Sequence, residues 1–531
     1  MPASALSTRR PLNQPAGAGF TAGQWWLLAG ITLLGIGLRA AHLGTWSLWV
    51  DEAFTWRDAT MAFDGEGGFL KSDRALYPLA FLTVRALLQA GIGGPDEWLL
   101  RWPFAVVGAL TVPVMALCGR RLVGPAAALL AAALLALDPW HVFWSQNARG
   151  YVWVVLAAAL ATNRVHAYAQ QERVRDLVAA VLATALGVLA HGTAWLLLVG
   201  FVGFLLTRFL PDRKVTRQRL LLAGLVFVVA LPWILAEFPL FPGFQKSKSD
   251  PSLLHFVQTS GFYFRPAILL TAVAALAVSR RLLDRARALL LGCCTVLPFL
   301  SLAIVSAELV KVTARYAICT LPAVTWLAAF GAVELTRRSW SGRRGGWAVR
   351  LAAAVVPLLL LAGHVFGTVQ YHGDQFGQRA RWREACEFVV ARGRAQGNQG
   401  VRVVTINQSS ALFYLRPWHW RNDDPDPYPT TDVIALSGSL AATGILNADK
   451  PELRQQLHEP GAINHLAWHL RVAAANRRHL SFLVTMPELA EQDPDGSLRR
   501  ALTTRCELVA HFPCWVGPKD ESIYVYEPKV D

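Results

Sequence analysis

WWLLAGITLLGIGLRAAHLG (residues 25–44) runs directly into TWSLWVDEAFT (residues 45–55). The first stretch is apolar over the roughly 20 residues that a helix needs to cross a bilayer. The second sets two adjacent carboxylates, Asp51 and Glu52, among Trp46, Trp49 and Trp56. No small-residue cleavage site follows the apolar run, so it reads as a retained span rather than a cleaved signal peptide. A span that opens into a carboxylate-bearing loop makes the chain a membrane protein with chemistry at one face.

The pattern repeats outward from there. Further apolar runs of spanning length lie near 102–119, 124–143, 150–168, 177–191, 193–209, 219–237, 263–279, 288–306, 316–334 and 349–368, eleven in all with the first. The break between the fifth and sixth rests on His191–Gly192. A shorter run at 76–92 carries Pro78 and Arg85 and reads as a half-inserted helix. With residues 1–24 as a disordered cytoplasmic tail, the inner loops hold Arg120/Arg121, Arg173/Arg175, Arg213/Lys214/Arg217/Arg219, Arg280/Arg281/Arg285/Arg287 and Arg337/Arg338/Arg343/Arg344, as the positive-inside rule asks. The outer segments are then 45–101, 144–149, 238–262, 307–315 and the tail from 369.

Composition agrees. The chain has 531 residues, 54% of them hydrophobic and 16% charged. A disordered chain needs the opposite balance, and seven cysteines over this length exclude a small disulfide scaffold. The net charge of +15 does not point to nucleic acid. Residues 371–531 hold 18 Lys and Arg against 19 Asp and Glu, so the whole excess sits in the apolar part. The tail reads as a soluble α/β segment, with strands at Val401–Ile406, Ser481–Met486 and Ile523–Tyr526 and helical patterns at 380–394 and 451–475. Asn422–Pro429 is a turn-rich loop. Spacing alone leaves the pairing of Cys506 and Cys514 open. No internal repeat is visible.

Three outer segments carry candidate chemistry. The first loop offers Asp51 and Glu52. A carboxylate walled by tryptophans at a membrane boundary can serve as a base, because burial raises its pKa; the competing reading is that both acids favour a helix N-terminus. The second reads Asp138-Pro139-Trp140-His141-Val142-Phe143-Trp144-Ser145-Gln146-Asn147-Ala148-Arg149-Gly150-Tyr151. An outer arginine such as Arg149 runs against the positive-inside bias. It calls for a phosphate or carboxylate partner, or else snorkels. The third is Lys311-Val312-Thr313-Ala314-Arg315-Tyr316, and Lys71 and Arg74 add cations in the first loop. Cations and carboxylates on one face suit transfer of a group off a phosphate. His191 by itself reads as a helix-packing group. No His/Cys spacing suggests zinc and no Gly-rich loop of the Walker type appears.

These segments resemble the polyprenyl-phosphate-dependent glycosyltransferases of the GT-C superfold, in the protein-mannosyltransferase-like branch (glycosyltransferase family 39). The resemblance is carried by Leu48–Thr55, by Leu100-Arg101-Trp102-Pro103 with Gly119–Gly124, by Trp144–Tyr151, and by Arg315-Tyr316 with Pro322. Arg381-Trp382-Arg383-Glu384-Ala385 is similar to the family's linker into its outer domain. One stretch departs: Arg74-Ala75-Leu76-Tyr77-Pro78 stands where the family has a His-Pro-Pro-Leu-Tyr-like sequence.

The resemblance implies an α-helical polytopic membrane protein, with residues 25–368 as the GT-C catalytic module and 369–531 as an extracytoplasmic α/β domain. It places the chain in a bacterial cytoplasmic (inner) membrane. It implies transfer of a single hexose or pentose from a polyprenyl-phosphate donor to an acceptor hydroxyl, with inversion. The acceptor class stays open among protein, lipid and polysaccharide. Asp51 would be the general base and Glu52 its support. Arg149 and Arg315 would hold the phosphate, Lys71 and Arg74 would reach the substrate, and Tyr151 and Tyr316 would shape the site. No cofactor is expected. A divalent metal between Asp51 and Glu52 is not favoured, because two adjacent carboxylates make an incomplete ligand set. The alternatives are a transporter or flippase for a lipid-linked or anionic substrate, and a non-catalytic assembly or sensor protein.

Overall fold

The computed structural model describes residues 19–65, 68–71, 73–91, 96–209, 251–341, 347–373, 379–415, 430–435, 473, 475–486, 489, 496–516 and 519–529. The expected tail up to residue 18, the span at 219–237, the loop at 422–429 and nearly all of the helical pattern at 451–475 lie outside the described residues.

Helices dominate the first two thirds. α1 (Ala22–Ala40) starts at a capping box in which Thr21 and Gln24 exchange side-chain and backbone bonds. α2 (Val50–Thr60) and α3 (Leu79–Gln89) lie in the first loop. α4 (Glu97–Val123), α5 (Pro125–Ala136), α6 (Pro139–Ser145), α7 (Tyr151–Gln171), α8 (Val174–Ala190) and α9 (Trp195–Phe209) follow. After the undescribed stretch come α10 (Leu253–Phe264), α11 (Pro266–Leu282), α12 (Arg285–Glu308), α13 (Leu321–Ser341) and α14 (Trp347–Gly373). α4, α5, α7 and α13 pack together as the centre of the bundle, with α8 on α7, α12 on α9 and α11 on α13.

By length and apolarity, four described helical stretches can each cross a membrane: Glu97–Val123, Arg285–Glu308, Ala314–Trp340 and Ala353–Gly373. They become six if each of two bent pairs counts as one span, so the expected eleven is not reached among the described residues. The bends correct two expected spans. The run at 124–143 breaks between α5 and α6 with a turn of 61°. Asp138 leaves the helical region there (φ −72°, ψ 112°) and caps α6 by accepting the His141 N–H at 2.7 Å. Pro139, which has no N–H to give, opens the new helix. The run at 263–279 begins at a sharper break. α10 and α11 meet at 96°, joined by Arg265 at φ +60° just before Pro266. The break expected at His191–Gly192 is present: α8 ends at Ala190 and a short 3-10 turn, Gly192–Ala194, leads into α9. α3, with eleven residues, is about 16 Å long and too short to cross a core of about 30 Å.

The tail builds an α/β layer. α15 (Trp382–Ala395) precedes β1 (Gly400–Thr405), α16 (Gln408–Leu415) and β2 (Thr430–Ala435). β3 (Arg478–Thr485), α17 (Ser497–Arg505), β4 (Cys506–Phe512), a hairpin of β5 (Trp515–Val516) and β6 (Lys519–Asp520), and β7 (Ile523–Pro528) complete it. The sheet order is β2-β1-β3-β7-β4, with β1 parallel to both neighbours and β7 antiparallel to β3 and β4. The three expected strands are β1, β3 and β7. β1 is buried along its whole length, and its β-branched Val401, Val403 and Val404 mark it as a strand although the buried Arg402 interrupts them. β4 was not anticipated. As an edge strand it carries the exposed Glu507 and His511, which dilute its apolar signal. Cys506 and Cys514 are buried and free.

Candidate active site

The site grows from the first turn of α2. Trp49 sits in extended backbone at the helix N-terminus, and the Glu52 carboxylate reaches back to accept its N–H at 2.9 Å. That is the helix-capping role a first-turn acid can play, but Glu52 does more. Its Oε1 accepts from Arg101 Nε at 2.8 Å and from the Ala148 N–H at 3.0 Å. Its Oε2 accepts from Arg101 Nη2 at 2.8 Å, and Arg379 Nε lies 3.5 Å away. Burial alone would raise this carboxyl. The Arg101 charge and hydrogen bonds, then Arg379 and the Trp49 N–H, outweigh burial and hold it below the usual carboxylate range.

The same arginines lock the surrounding loops. Arg101 also donates to the carbonyls of Leu43, Trp46 and Ser47. Arg379 donates to the Gln146 carbonyl and to Tyr371 Oη. Gln146 in turn donates to the carbonyls of Leu38, Arg39 and Ala41, and so satisfies the open end of α1. Residues 43–52 and 145–150 are thereby fixed to each other, so Asp51 and Arg149 occupy set positions.

Asp51 differs from its neighbour. It is half-buried, and its carboxylate makes no hydrogen bond or ion pair with any described residue. Arg315 and Tyr151 lie within its electrostatic reach. One turn along α2, Thr55 donates to the Asp51 carbonyl at 3.1 Å and accepts from Arg149 Nη1 at 3.3 Å. Arg315 sits in the 3-10 turn Ala314–Thr320, ahead of α13. Its guanidinium lies 5.9 Å from the Trp49 ring and 5.1 Å from the Tyr316 ring, and Nη2 donates to Tyr316 Oη at 3.2 Å. Neither Arg149 nor Arg315 pairs with a carboxylate among the described residues. The Nε of each is buried without a partner.

Aromatic rings line the ground between. Trp144 lies 3.9 Å from Tyr151, and Trp49 lies 5.8 Å from Trp144. The His191 ring is 4.1 Å from Tyr151, 6.3 Å from Tyr77 and 6.5 Å from Tyr316. Gly150 permits this closeness: a Cβ there would strike the Ala190 carbonyl oxygen at the end of α8.

Asp51, Arg149, Tyr151, Arg315 and Tyr316, chosen from three distant stretches, thus come together. Glu52 stands behind them in its ion pair. Lys71 and Arg74 have their backbones in the 3-10 turns Phe69–Lys71 and Asp73–Leu76, and their side chains lie outside the described residues. The sequence reading missed His191 and Tyr77 as site residues. It also gave no role to Arg101 and Arg379, since nothing local marks an arginine as the partner of a distant acid. No three His, Cys, Asp or Glu side chains stand together as a metal set among the described residues.

The tail closes one wall. Tyr414 Oη accepts the Leu48 N–H at 2.6 Å and donates to Glu97 at 2.8 Å. Trp49 Nε1 donates to Glu521 Oε2 at 3.1 Å, and Arg57 Nη1 donates to Ser409 Oγ at 3.3 Å. In the linker, Arg383 pairs with Glu97, and Glu384 accepts from Ser47 Oγ at 3.0 Å.

Residues 77–235 match the family model of the dolichyl-phosphate-mannose-protein mannosyltransferases. Among solved structures, the chain is similar to ArnT from Cupriavidus metallidurans bound to undecaprenyl phosphate, at 16% identity and a TM-score of 0.55, over 95% of this chain and 98% of that one. The apo form of the same ArnT matches at 15% identity and 0.54, with the same coverage. The oligosaccharyltransferase AglB from Archaeoglobus fulgidus, in complex with an inhibitory peptide and a dolichol-phosphate, matches at 12% identity and 0.52, over 95% of this chain and 74% of that one. No curated protein matches by sequence. The fold is that of the GT-C glycosyltransferases, and the resemblance to their protein-mannosyltransferase-like branch stands. With its long apolar helices the chain is an integral membrane protein.

Proposed function

We propose that the chain moves one sugar from a polyprenyl-phosphate carrier to an acceptor hydroxyl at the outer membrane face, with inversion at the anomeric carbon. One observation carries the reading. The unengaged Asp51 carboxylate shares a site with two cations, Arg149 and Arg315, that have no carboxylate partner among the described residues.

Asp51 takes the proton of the acceptor hydroxyl as its oxygen bonds to the anomeric carbon. The bond from that carbon to the phosphate oxygen breaks, and the electron pair leaves with the polyprenyl phosphate. Arg149 and Arg315 hold the charge that develops there, in a site screened from water by tryptophan and tyrosine rings. Tyr151 and Tyr316 shape the wall, and Lys71 and Arg74 of the first loop are assigned to the substrate on the sequence resemblance alone. Glu52 is a positioning residue, because its two oxygens are engaged by Arg101 and by backbone N–H groups. That engagement leaves Asp51 as the carboxylate of the adjacent pair without a partner among the described residues, so the reading needs no bridging metal. Activity is expected to survive a chelator. The acceptor, whether protein, lipid or polysaccharide, meets the site beside the tail.

The test is turnover of a panel of labelled polyprenyl-phosphate sugars by the protein in lipid, beside Asp51→Asn. The variant is expected to lose about 10²–10⁴-fold in transfer while its unfolding temperature stays at the wild-type value. Equal turnover by both proteins sinks the assignment of Asp51.

A further inference from the structure

His191 sits in the break between α8 and α9 with extended backbone, φ −166° and ψ 141°. Its Nδ1 accepts the Thr193 N–H at 3.2 Å. A ring nitrogen that accepts an N–H carries no proton, so the proton of the neutral ring is on Nε2. Burial first, and then the charges of Arg149 and Arg315 within electrostatic reach, oppose a positive charge on the ring. Nε2 makes no hydrogen bond to any described residue. The turn is closed against Tyr77: a Cβ on Gly192 would come within 2.8 Å of the Tyr77 hydroxyl. The result is a neutral donor of fixed tautomer beside Tyr151, near two cations that have no carboxylate partner among the described residues.

We propose that His191 is a further binding residue for the donor, giving its Nε2–H to an oxygen of the same phosphate that Arg149 and Arg315 hold. The proposal rests on the polyprenyl-phosphate reading above. A neutral third donor adds a charge-assisted bond to the phosphate without adding a third positive charge. The leaving polyprenyl phosphate is then held less tightly than three cations would hold it, which favours its release.

The experiment measures binding of undecaprenyl phosphate to the full-length protein in detergent, with undecaprenol as the control that lacks the phosphate. Wild type is expected to bind the phosphate and not the alcohol. His191→Asn keeps an acceptor near Nδ1 but removes the donor at Nε2, and is expected to bind about tenfold more weakly or worse. His191→Gln returns an amide N–H near the Nε2 position and is expected to stay within about threefold of wild type. His191→Phe keeps a ring of similar shape without the donor, and carries the same test should the Asn variant fail to fold. Wild-type affinity in the Asn or Phe variant overturns the proposal. So does a Gln variant as weak as the other two, since an N–H returned near the Nε2 position would then restore nothing. Failure of the wild type itself to bind is a separate result: it overturns the polyprenyl-phosphate reading, and this inference with it.

Discussion

The Glu52 carboxylate and the Arg101 guanidinium meet at two points, each at 2.8 Å, with both side chains fully buried. The pair joins α2 to α4, and Glu52 also holds the loop that carries Arg149. Removing one charge leaves the other buried and uncompensated, at a cost of about 3–5 kcal/mol. Glu52→Gln is therefore expected to lower the unfolding temperature in detergent far more than Asp51→Asn, its neighbour. Similar unfolding temperatures for the two variants would argue that the pair does not organise the loops.

The pH dependence of stability follows from the same pair. Arg101 and Arg379 overcome burial and hold the folded Glu52 carboxyl below its ordinary value of 4.5. A depressed acid contributes stability above its unfolded pKa and loses it as pH falls through the folded value. The contribution is thus expected to be constant from neutral pH down to about 5 and to fade in acid below about 4.5. Unfolding followed across this range should show an acid-side loss in wild type that is diminished in Glu52→Gln. Parallel curves would remove the explanation.

Tyr414 ties the tail to the site loop through one hydroxyl, bonded to the Leu48 N–H and to Glu97. Tyr414→Phe removes both bonds and leaves a buried N–H unpaired, a loss of about 1–3 kcal/mol. Amide exchange in residues 46–52 is expected to quicken, whereas exchange in β1 and β3 stays as in wild type. Unchanged exchange at Leu48 would show that the tail does not brace the loop.

Gly150→Ala places a methyl group against the Ala190 carbonyl oxygen. The start of α7 and the end of α8 must then separate, at a cost of about 1–3 kcal/mol, and Arg149 and His191 move with them. Sugar transfer should fall along with stability. Gly37→Ala in α1 is the matched control, because a Cβ there meets nothing within 4 Å. Equal behaviour of the two variants would contradict the close approach.

Length and apolarity made the apolar helices legible, and the glycine at His191–Gly192 made that break legible too. The bend at Asp138–Pro139 was less legible, since the residues on either side are as apolar as those of an unbroken span. β1 announced itself through its valines, Val401, Val403 and Val404. β2, whose strand partner is β1 at the sheet edge, did not.

The candidate site divides in the same way. Asp51, Arg149 and Arg315 stood out because a charge at a membrane boundary is costly without a task, and that cost is local to the residue. What Glu52, Arg101, Arg379 and His191 do depends on partners tens to hundreds of positions away, so no local pattern encodes it. The sequence by itself determined a helical membrane protein with an α/β tail and charges gathered towards one face. Only the tertiary structure decided which of two adjacent carboxylates is engaged in a buried ion pair. Glu52 is spent on Arg101, a residue 49 positions away, whereas Asp51, one peptide bond earlier, points from a different side of the same helix turn and meets no such partner among the described residues.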